Sequence, residues 1–206
     1  EEETGMDGAR GIDLSGCQSR KLINLDSEEE GVFLAGCAGG ARVNYNASLT
    51  PVMQKGTVYR VTVDGLLGGH SGAEIDKERG NAICILGRAM KELEEAGLSI
   101  ALCNIDGGLA DNAIPRQAEA AFLVTGYKGN GEETDILEKV MEKLGEGLAT
   151  EYEKKDPGVR LQTKLLDTEE KMALSEEDSR RLVNLICMLP YGVQAMSSSM
   201  KGLVET

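Results

Sequence analysis

Three adjacent glutamates precede a Thr-Gly turn in the segment EEETGM (1–6). Carboxylate oxygens bind hard and borderline metal ions, and a second carboxylate beside the ligand can take a proton from an activated water. One glutamate could therefore bind a metal while its neighbour acts as a general base. The alternative is a solvated acidic run, which is the usual reading of such a segment.

A further carboxylate, Asp26, follows the apolar run KLINL (21–25). Ligands are often held at strand ends in open α/β sheets, so Asp26 is a second candidate ligand-binding residue. It could also be a loop carboxylate in an acidic patch, because glutamates follow it closely.

His70 is the only histidine of the chain and lies in the glycine-rich segment GLLGGHSG (65–72). Glycines let the backbone turn sharply and leave an imidazole unobstructed. A functional role and a structural role both remain open for this side chain, since a lone histidine is often structural.

Asn112 lies in DNAIP (111–115), directly before a predicted strand. An amide side chain both donates and accepts hydrogen bonds, so it suits an amide or carboxylate group of a substrate. An asparagine before an extended X-Pro step is also an ordinary turn residue.

Regular hydrophobic periodicity from residue 56 onward predicts the elements that position these side chains. Alternating segments predict strands, and apolar spacings of three and four predict helices. The predicted strands are 56–66, 98–108, 116–126 and 159–167, the predicted helices are 76–97, 133–156 and 175–189, and a last strand is expected near 193–197. The resulting β-α-β-β-α-β order predicts an α+β, ferredoxin-like fold, an antiparallel sheet with helices on one face. This fold hosts many functions.

Residues 1–42 differ from the remainder of the chain. Their short apolar runs, 21–25 and 31–38, are separated by acidic or glycine-rich segments and predict short buried strands joined by loops. We therefore expect two domains, 1–42 and 43–206.

The composition excludes several function classes. With 22 Lys and Arg against 35 Asp and Glu, the net charge of −13 argues against nucleic-acid binding. No apolar run is long enough for a membrane span, so no membrane association is expected. The five cysteines include no C-x-x-C pair, and their apolar neighbours favour free thiols in a reducing compartment, which predicts a cytoplasmic protein.

Five motifs occur in the order found in one enzyme family. They are EEETGMDGA (1–9), NLDSEEEG (24–31), GLLGGHSGAEIDKERGNA (65–82), DNAIPRQAEA (111–120) and MSSSMKGLVET (196–206). On these motifs the chain resembles the cytosolic aminoacyl-histidine dipeptidases, within the zinc aminopeptidase/carboxypeptidase-G superfamily. The GGHSG…RGNA stretch is the most specific of them.

The resemblance implies a role for each candidate residue. Glu2 would be the general base, while Glu3 and Asp26 would bind zinc. His70, carried by a lid domain, would stabilise the oxyanion of the tetrahedral intermediate. Asn112 would bind the terminal end of the substrate.

The resemblance also implies that residues 1–42 are a fragment of an α/β zinc-peptidase catalytic domain and that 43–206 are most of a lid or dimerisation domain. The family's other metal ligands are missing, so the two-zinc site is incomplete and this chain alone should be inactive. The expected parent protein is a zinc-dependent peptidase that cleaves Xaa-His and related dipeptides, with a homodimer formed through the lid. An aminoacylase or tripeptidase of the same superfamily, and an oligomerisation module without catalysis, are the alternatives.

Overall fold

The chain divides into two structural units, Glu1–Val43 and Asn44–Thr206. The structure is a computed structural model and describes residues 7–25, 30–33, 39–126 and 131–206. In the first unit, helix α1 (Asp7–Gly11) is followed by residues 12–25, which form neither helix nor strand.

The sequence-based prediction of a buried strand at residues 21–25 is wrong. The side chains of Leu22, Ile23 and Leu25 are 88%, 85% and 90% exposed. A strand needs a neighbour for its backbone hydrogen bonds, and no described residue pairs with this segment. Most of the other run, residues 31–38, lies outside the described residues.

The second unit contains the regular elements. They are β1 (Val52–Asp64), β2 (Gly69–His70), α2 (Ala82–Glu95), β3 (Ser99–Gly107), β4 (Ala113–Ile114), β5 (Ala118–Thr125), α3 (Glu132–Glu151), β6 (Arg160–Ala173) and α4 (Glu176–Met188), with a 3₁₀ turn at Ile75–Lys77. Strands β3, β5, β1 and β6 form, in that order, a four-stranded sheet in which each neighbouring pair is antiparallel. The β-α-β-β-α-β order of the long elements confirms the predicted ferredoxin-like α+β fold.

One face of the sheet forms the main core with the helices. Tyr59, Val61 and Val63 alternate along β1 and are at most 1% exposed. They share one hydrophobic cluster with Leu86 of α2 and Leu137 of α3. Burying each such side chain contributes about 1.5–3 kcal/mol, so this face of the sheet holds the helices in place.

Helix α2 begins later than the periodicity predicts. The Asn81 side chain accepts hydrogen bonds from the backbone N–H groups of Ile83 and Cys84, at 2.9 and 3.3 Å, which caps the helix. Just before it, Glu78 has a left-handed backbone with φ 49°. Residues 76–81 therefore belong to a loop that starts after β1, and this loop contains His70.

The remaining differences lie at element ends. Helix α3 ends at Glu151 rather than 156, and β6 continues to Ala173 rather than 167. Ser175, where the predicted helix 175–189 begins, caps α4 by accepting the Asp178 N–H at 3.0 Å. The strand expected at 193–197 is wrong, because the described residues there form a single bridge between Met196 and Val204. None of the described helices combines the length and apolar character that a bilayer span requires.

Candidate functional site

His70 lies where two loops of the second unit meet. Strands β2 and β4 form a separate two-stranded sheet in which His70 is opposite Ala113. One residue further on, the Ser71 N–H donates to the carbonyl oxygen of Asn112 at 2.8 Å. The fold therefore brings two of the sequence-predicted residues, His70 and Asn112, into adjacent backbone positions.

The imidazole of His70 is oriented by backbone donors. Its Nδ1 accepts hydrogen bonds from the N–H groups of Gly72, at 3.1 Å, and Ala73, at 3.0 Å. A proton on Nδ1 would point at two N–H groups, so the neutral ring carries its proton on Nε2. Because the side chain is exposed, the loop presents an N–H donor at its surface.

Glu74 anchors the backbone of the same residue. Its Oε2 accepts the His70 N–H at 2.9 Å, while Oε1 pairs with Lys77 and lies 3.3 Å from Nη1 of Arg79. The Lys77 hydrogen bond and then the His70 N–H lower the pKa of Glu74 to about 2. The carboxylate is therefore ionised at neutral pH and fixes the strand position from which the imidazole projects.

Gly69 is required by the backbone at this point. Its φ of +146° is in a region that side chains rarely adopt, and a Cβ there would lie 2.7 Å from both Nη1 of Arg79 and Oε2 of Glu74. Arg79 in turn donates to the carbonyl oxygen of Gly68. Glycine before His70 thus lets the Glu74–Arg79 pair approach the main chain.

An open pocket of about 530 Å³ lies beside the Asn112 loop. Ser71 and Asp111 contribute to its lining, together with the apolar side chains of Ile83, Leu109 and Pro115. A mostly apolar pocket next to polar groups is the usual form of a small-molecule subsite.

The other predicted site residues, Glu2, Glu3 and Asp26, lie outside the described residues. Within the described part of the chain, no group of three or more His, Cys, Asp or Glu side chains is close enough to hold a metal ion. The described residues therefore do not fit a metal site by themselves, and the roles of all five predicted residues stay predictions.

Two residues that contribute to the site were not found from the sequence. Glu74 follows His70 by four residues and resembled any acidic loop residue. Asp156, whose carboxylate accepts backbone N–H groups of the His70 loop at 2.6 Å, was interpreted only as the end of a helix before Pro157. Neither position carries a sequence signal that distinguishes it from an ordinary surface carboxylate.

Comparison with known proteins gives consistent matches. Residues 61–155 match the family model of the peptidase dimerisation domain, of M20 type. Over its whole length the chain is 37% identical to the cytosol non-specific dipeptidase of Escherichia coli (strain K12), of which it covers 41%. It also matches the crystal structure of aminoacylhistidine dipeptidase from Vibrio alginolyticus, with a TM-score of 0.72 and 30% identity over 99% of this chain and 41% of that one.

The chain thus spans about two fifths of the length of these relatives. Both are dipeptidases by name, which confirms the resemblance drawn from the five motifs. The loop that carries His70 and the segment that carries Asn112 both fall inside the matched range 61–155. Residues 61–155 of the chain therefore match the M20 peptidase dimerisation domain.

Proposed function

We propose that this chain is part of a metal-dependent dipeptidase, in which Asn44–Thr206 is the lid or dimerisation domain and the segment before it belongs to the catalytic domain. Support comes from the two dipeptidase relatives, which the chain matches along its whole length. The division of the chain near residue 43 agrees with this assignment.

The observation that carries the proposal is that two backbone N–H groups, of Gly72 and Ala73, donate to Nδ1 of His70, which leaves Nε2 as the donor of the neutral ring. When a peptide bond is hydrolysed, negative charge develops on the carbonyl oxygen, and a donor that is already aimed at this oxygen stabilises the transition state more than the substrate. Because two backbone N–H groups hold Nδ1, the imidazole need not reorganise to donate. Closure of the lid over the substrate would place this donor and exclude water.

The remaining roles rest on the resemblance. Glu2 acts as the general base, Asn112 binds the end of the dipeptide, and Glu3 and Asp26 hold zinc together with ligands from other parts of the protein. When bound, zinc polarises the peptide carbonyl and lowers the pKa of water. Without those other ligands, we expect the 206-residue chain to be inactive.

The substrate range follows from the two relatives, which differ in name. One is named a non-specific dipeptidase and the other an aminoacylhistidine dipeptidase, so we propose Xaa-His dipeptides together with other dipeptides as substrates. We further propose a cytoplasmic homodimer that forms through the domain at 61–155, as the description of that family indicates. Light scattering on this chain tests the dimer, and a strict monomer at all concentrations contradicts it.

The function is tested by hydrolysis of β-alanyl-histidine and several ordinary dipeptides by the full-length protein, with added zinc and with a chelator. Chelator-sensitive cleavage of dipeptides is the expected result. N-acylated amino acids and tripeptides belong in the same panel. Cleavage of these in place of dipeptides would show instead an aminoacylase or tripeptidase.

A further inference from the structure

A buried carboxylate ties together the two ends of the loop that carries His70. Asp156 is completely buried. Its Oδ1 accepts the Leu67 N–H at 2.6 Å, and its Oδ2 accepts the Gly80 N–H at 2.6 Å. Leu67 lies near the start of the loop after β1, and Gly80 lies near its end, just before α2. Each carboxylate oxygen therefore fixes one end of the loop.

The position of this carboxylate is unfavourable for helix stability. Asp156 follows α3, and its own N–H donates to Tyr152, the C-cap residue of that helix, at 2.9 Å. The carboxyl end of a helix favours cations and disfavours anions. Removing a carboxylate from water is also costly unless hydrogen bonds replace the lost hydration. Neither burial nor the helix end favours an aspartate at this position. The hydrogen bonds from the backbone N–H groups of Leu67 and Gly80 do explain it.

The main chain around Asp156 is fitted to the same loop. Gly65, with φ +78°, approaches Gly158 so closely that a Cβ on Gly65 would lie 1.9 Å from the Gly158 carbonyl oxygen. A Cβ on Gly80 would lie 2.8 Å from Cδ2 of Leu66. The turn at 156–158 is thus in direct contact with the start of the loop, and the two ends of the loop are in contact with each other.

Contacts inside the loop connect its fixed ends to His70. Arg79, next to Gly80, donates to the carbonyl oxygen of Gly68, next to Leu67. Arg79 also pairs with Glu74, which accepts the His70 N–H at 2.9 Å. A displacement of about 1 Å at a reacting group can reduce the rate by about 10²-fold, so the position of the loop ends matters for a donor at His70.

We propose that Asp156 is a positioning residue for His70, whose carboxylate holds both ends of the loop so that the imidazole keeps its orientation. This inference rests on the proposed function, because it assigns Asp156 to the placement of the same oxyanion donor. Asp156 does not touch substrate in this role; it acts through the backbone at Leu67 and Gly80.

The test is Asp156→Asn in the full-length protein. The amide keeps the shape of the carboxylate, but its NH₂ group must face one of the two backbone N–H groups. We expect kcat to fall by about tenfold or more while KM changes by less than about threefold. Glu153→Gln, the same chemical change at an exposed residue three positions earlier in the chain, is the matched control and should leave both constants unchanged. Unchanged kcat in a folded Asp156→Asn protein overturns the proposal.

A second readout does not depend on turnover. Because His70 is the only histidine of the 206-residue chain, its two ring nitrogens give unambiguous ¹⁵N signals, which report the tautomer. We expect the Nε2–H form in the unchanged chain and in Glu153→Gln, and a mixture of tautomers or broadened signals in Asp156→Asn. Identical signals in all three proteins contradict the proposal even when no dipeptide is cleaved, which separates its failure from that of the proposed function.

Asp156→Glu covers the case in which the asparagine variant does not fold. The charge is kept but the carboxylate is displaced by one methylene, so kcat should fall while the protein stays folded. If neither variant folds, Asp156 is a folding residue and the positioning role is rejected.

Discussion

The hydroxyl of Tyr191 donates a hydrogen bond of 2.9 Å to the carbonyl oxygen of Arg79. Tyr191 lies just after α4, whereas Arg79 belongs to the His70 loop, so this bond joins elements 112 residues apart in sequence. Burial, with smaller contributions from Cys84 and Tyr152, raises the pKa of Tyr191 to about 12. The loop is therefore held from its C-terminal side by a phenol that stays protonated through neutral pH.

The raised pKa of Tyr191 predicts a loss of stability at alkaline pH. A phenol whose folded-state pKa exceeds its unfolded value of about 10 contributes fully below pH 10, and its contribution is lost as the pH rises towards about 12. Urea denaturation between pH 9 and 12 should show this decrease in the free energy of unfolding. In Tyr191→Phe, the free energy of unfolding should fall less steeply with pH. An identical slope in Tyr191→Phe contradicts the assignment. Tyr45→Phe, at an exposed tyrosine, is the control.

Removing the imidazole should affect mainly the chemical step. In the full-length protein, His70→Ala should lower kcat by about 10²–10³-fold with little change in KM, since an oxyanion donor acts chiefly in the transition state. Steady-state kinetics with a dipeptide substrate gives both constants. Lys154→Ala, at an exposed position after α3, should behave as the unchanged protein. A decrease of less than about fivefold in His70→Ala rules out the oxyanion role.

Two glycine substitutions should have opposite effects on stability. Gly69→Ala adds a Cβ at φ +146°, 2.7 Å from Glu74 Oε2, and should lower the free energy of unfolding by about 1–3 kcal/mol. Gly145→Ala, inside α3 with no atom within 4 Å of the added Cβ, should raise it by about 0.5–1 kcal/mol. Chemical denaturation of both variants gives the comparison. A Gly69→Ala protein as stable as the unchanged chain would show that the strained backbone is dispensable.

The sequence was sufficient for the fold of the second unit because its signals are local. The alternation of apolar residues in 56–66 and their helical spacing in 133–156 both reflect burial of one face of the element. The structure forms β1 and α3 in these segments, with those faces buried. The ends of the elements were less predictable. Apolar spacing predicts a helix from residue 76, but the Asn81 side chain caps α2, so the helix begins only at Ala82. The prediction of a strand at 21–25 was wrong because a strand needs a neighbouring strand for its backbone hydrogen bonds, and apolar composition alone does not show that one is present.

In the site, too, residues with a local sequence motif could be predicted, whereas a residue whose partners are distant in sequence could not. His70 and Asn112 could be identified from residues beside them, GGHSG and DNAIP. Asp156 could not, because its partners Leu67 and Gly80 are 89 and 76 residues away and contribute only backbone N–H groups. Backbone groups exist at every position, so a contact of this kind leaves no pattern in side-chain types.

Glu74 predicts how the His70 backbone responds to acid. The folded-state pKa of Glu74, about 2, is below its ordinary value of 4.5, so the contribution of this carboxylate is present above about pH 4.5 and is lost as the pH falls towards 2. Between pH 4.5 and about 3, the amide proton of His70, which donates to this carboxylate, should keep its chemical shift, and below about pH 3 the shift should change. In Glu74→Gln the low-pH transition should disappear, because an amide does not titrate there, whereas Glu153→Gln should retain it. A transition centred near pH 4.5 in the unchanged chain would mean that, in solution, Lys77 and the His70 N–H do not form these hydrogen bonds with the Glu74 carboxylate. In that case Glu74 would not fix the strand that presents the imidazole.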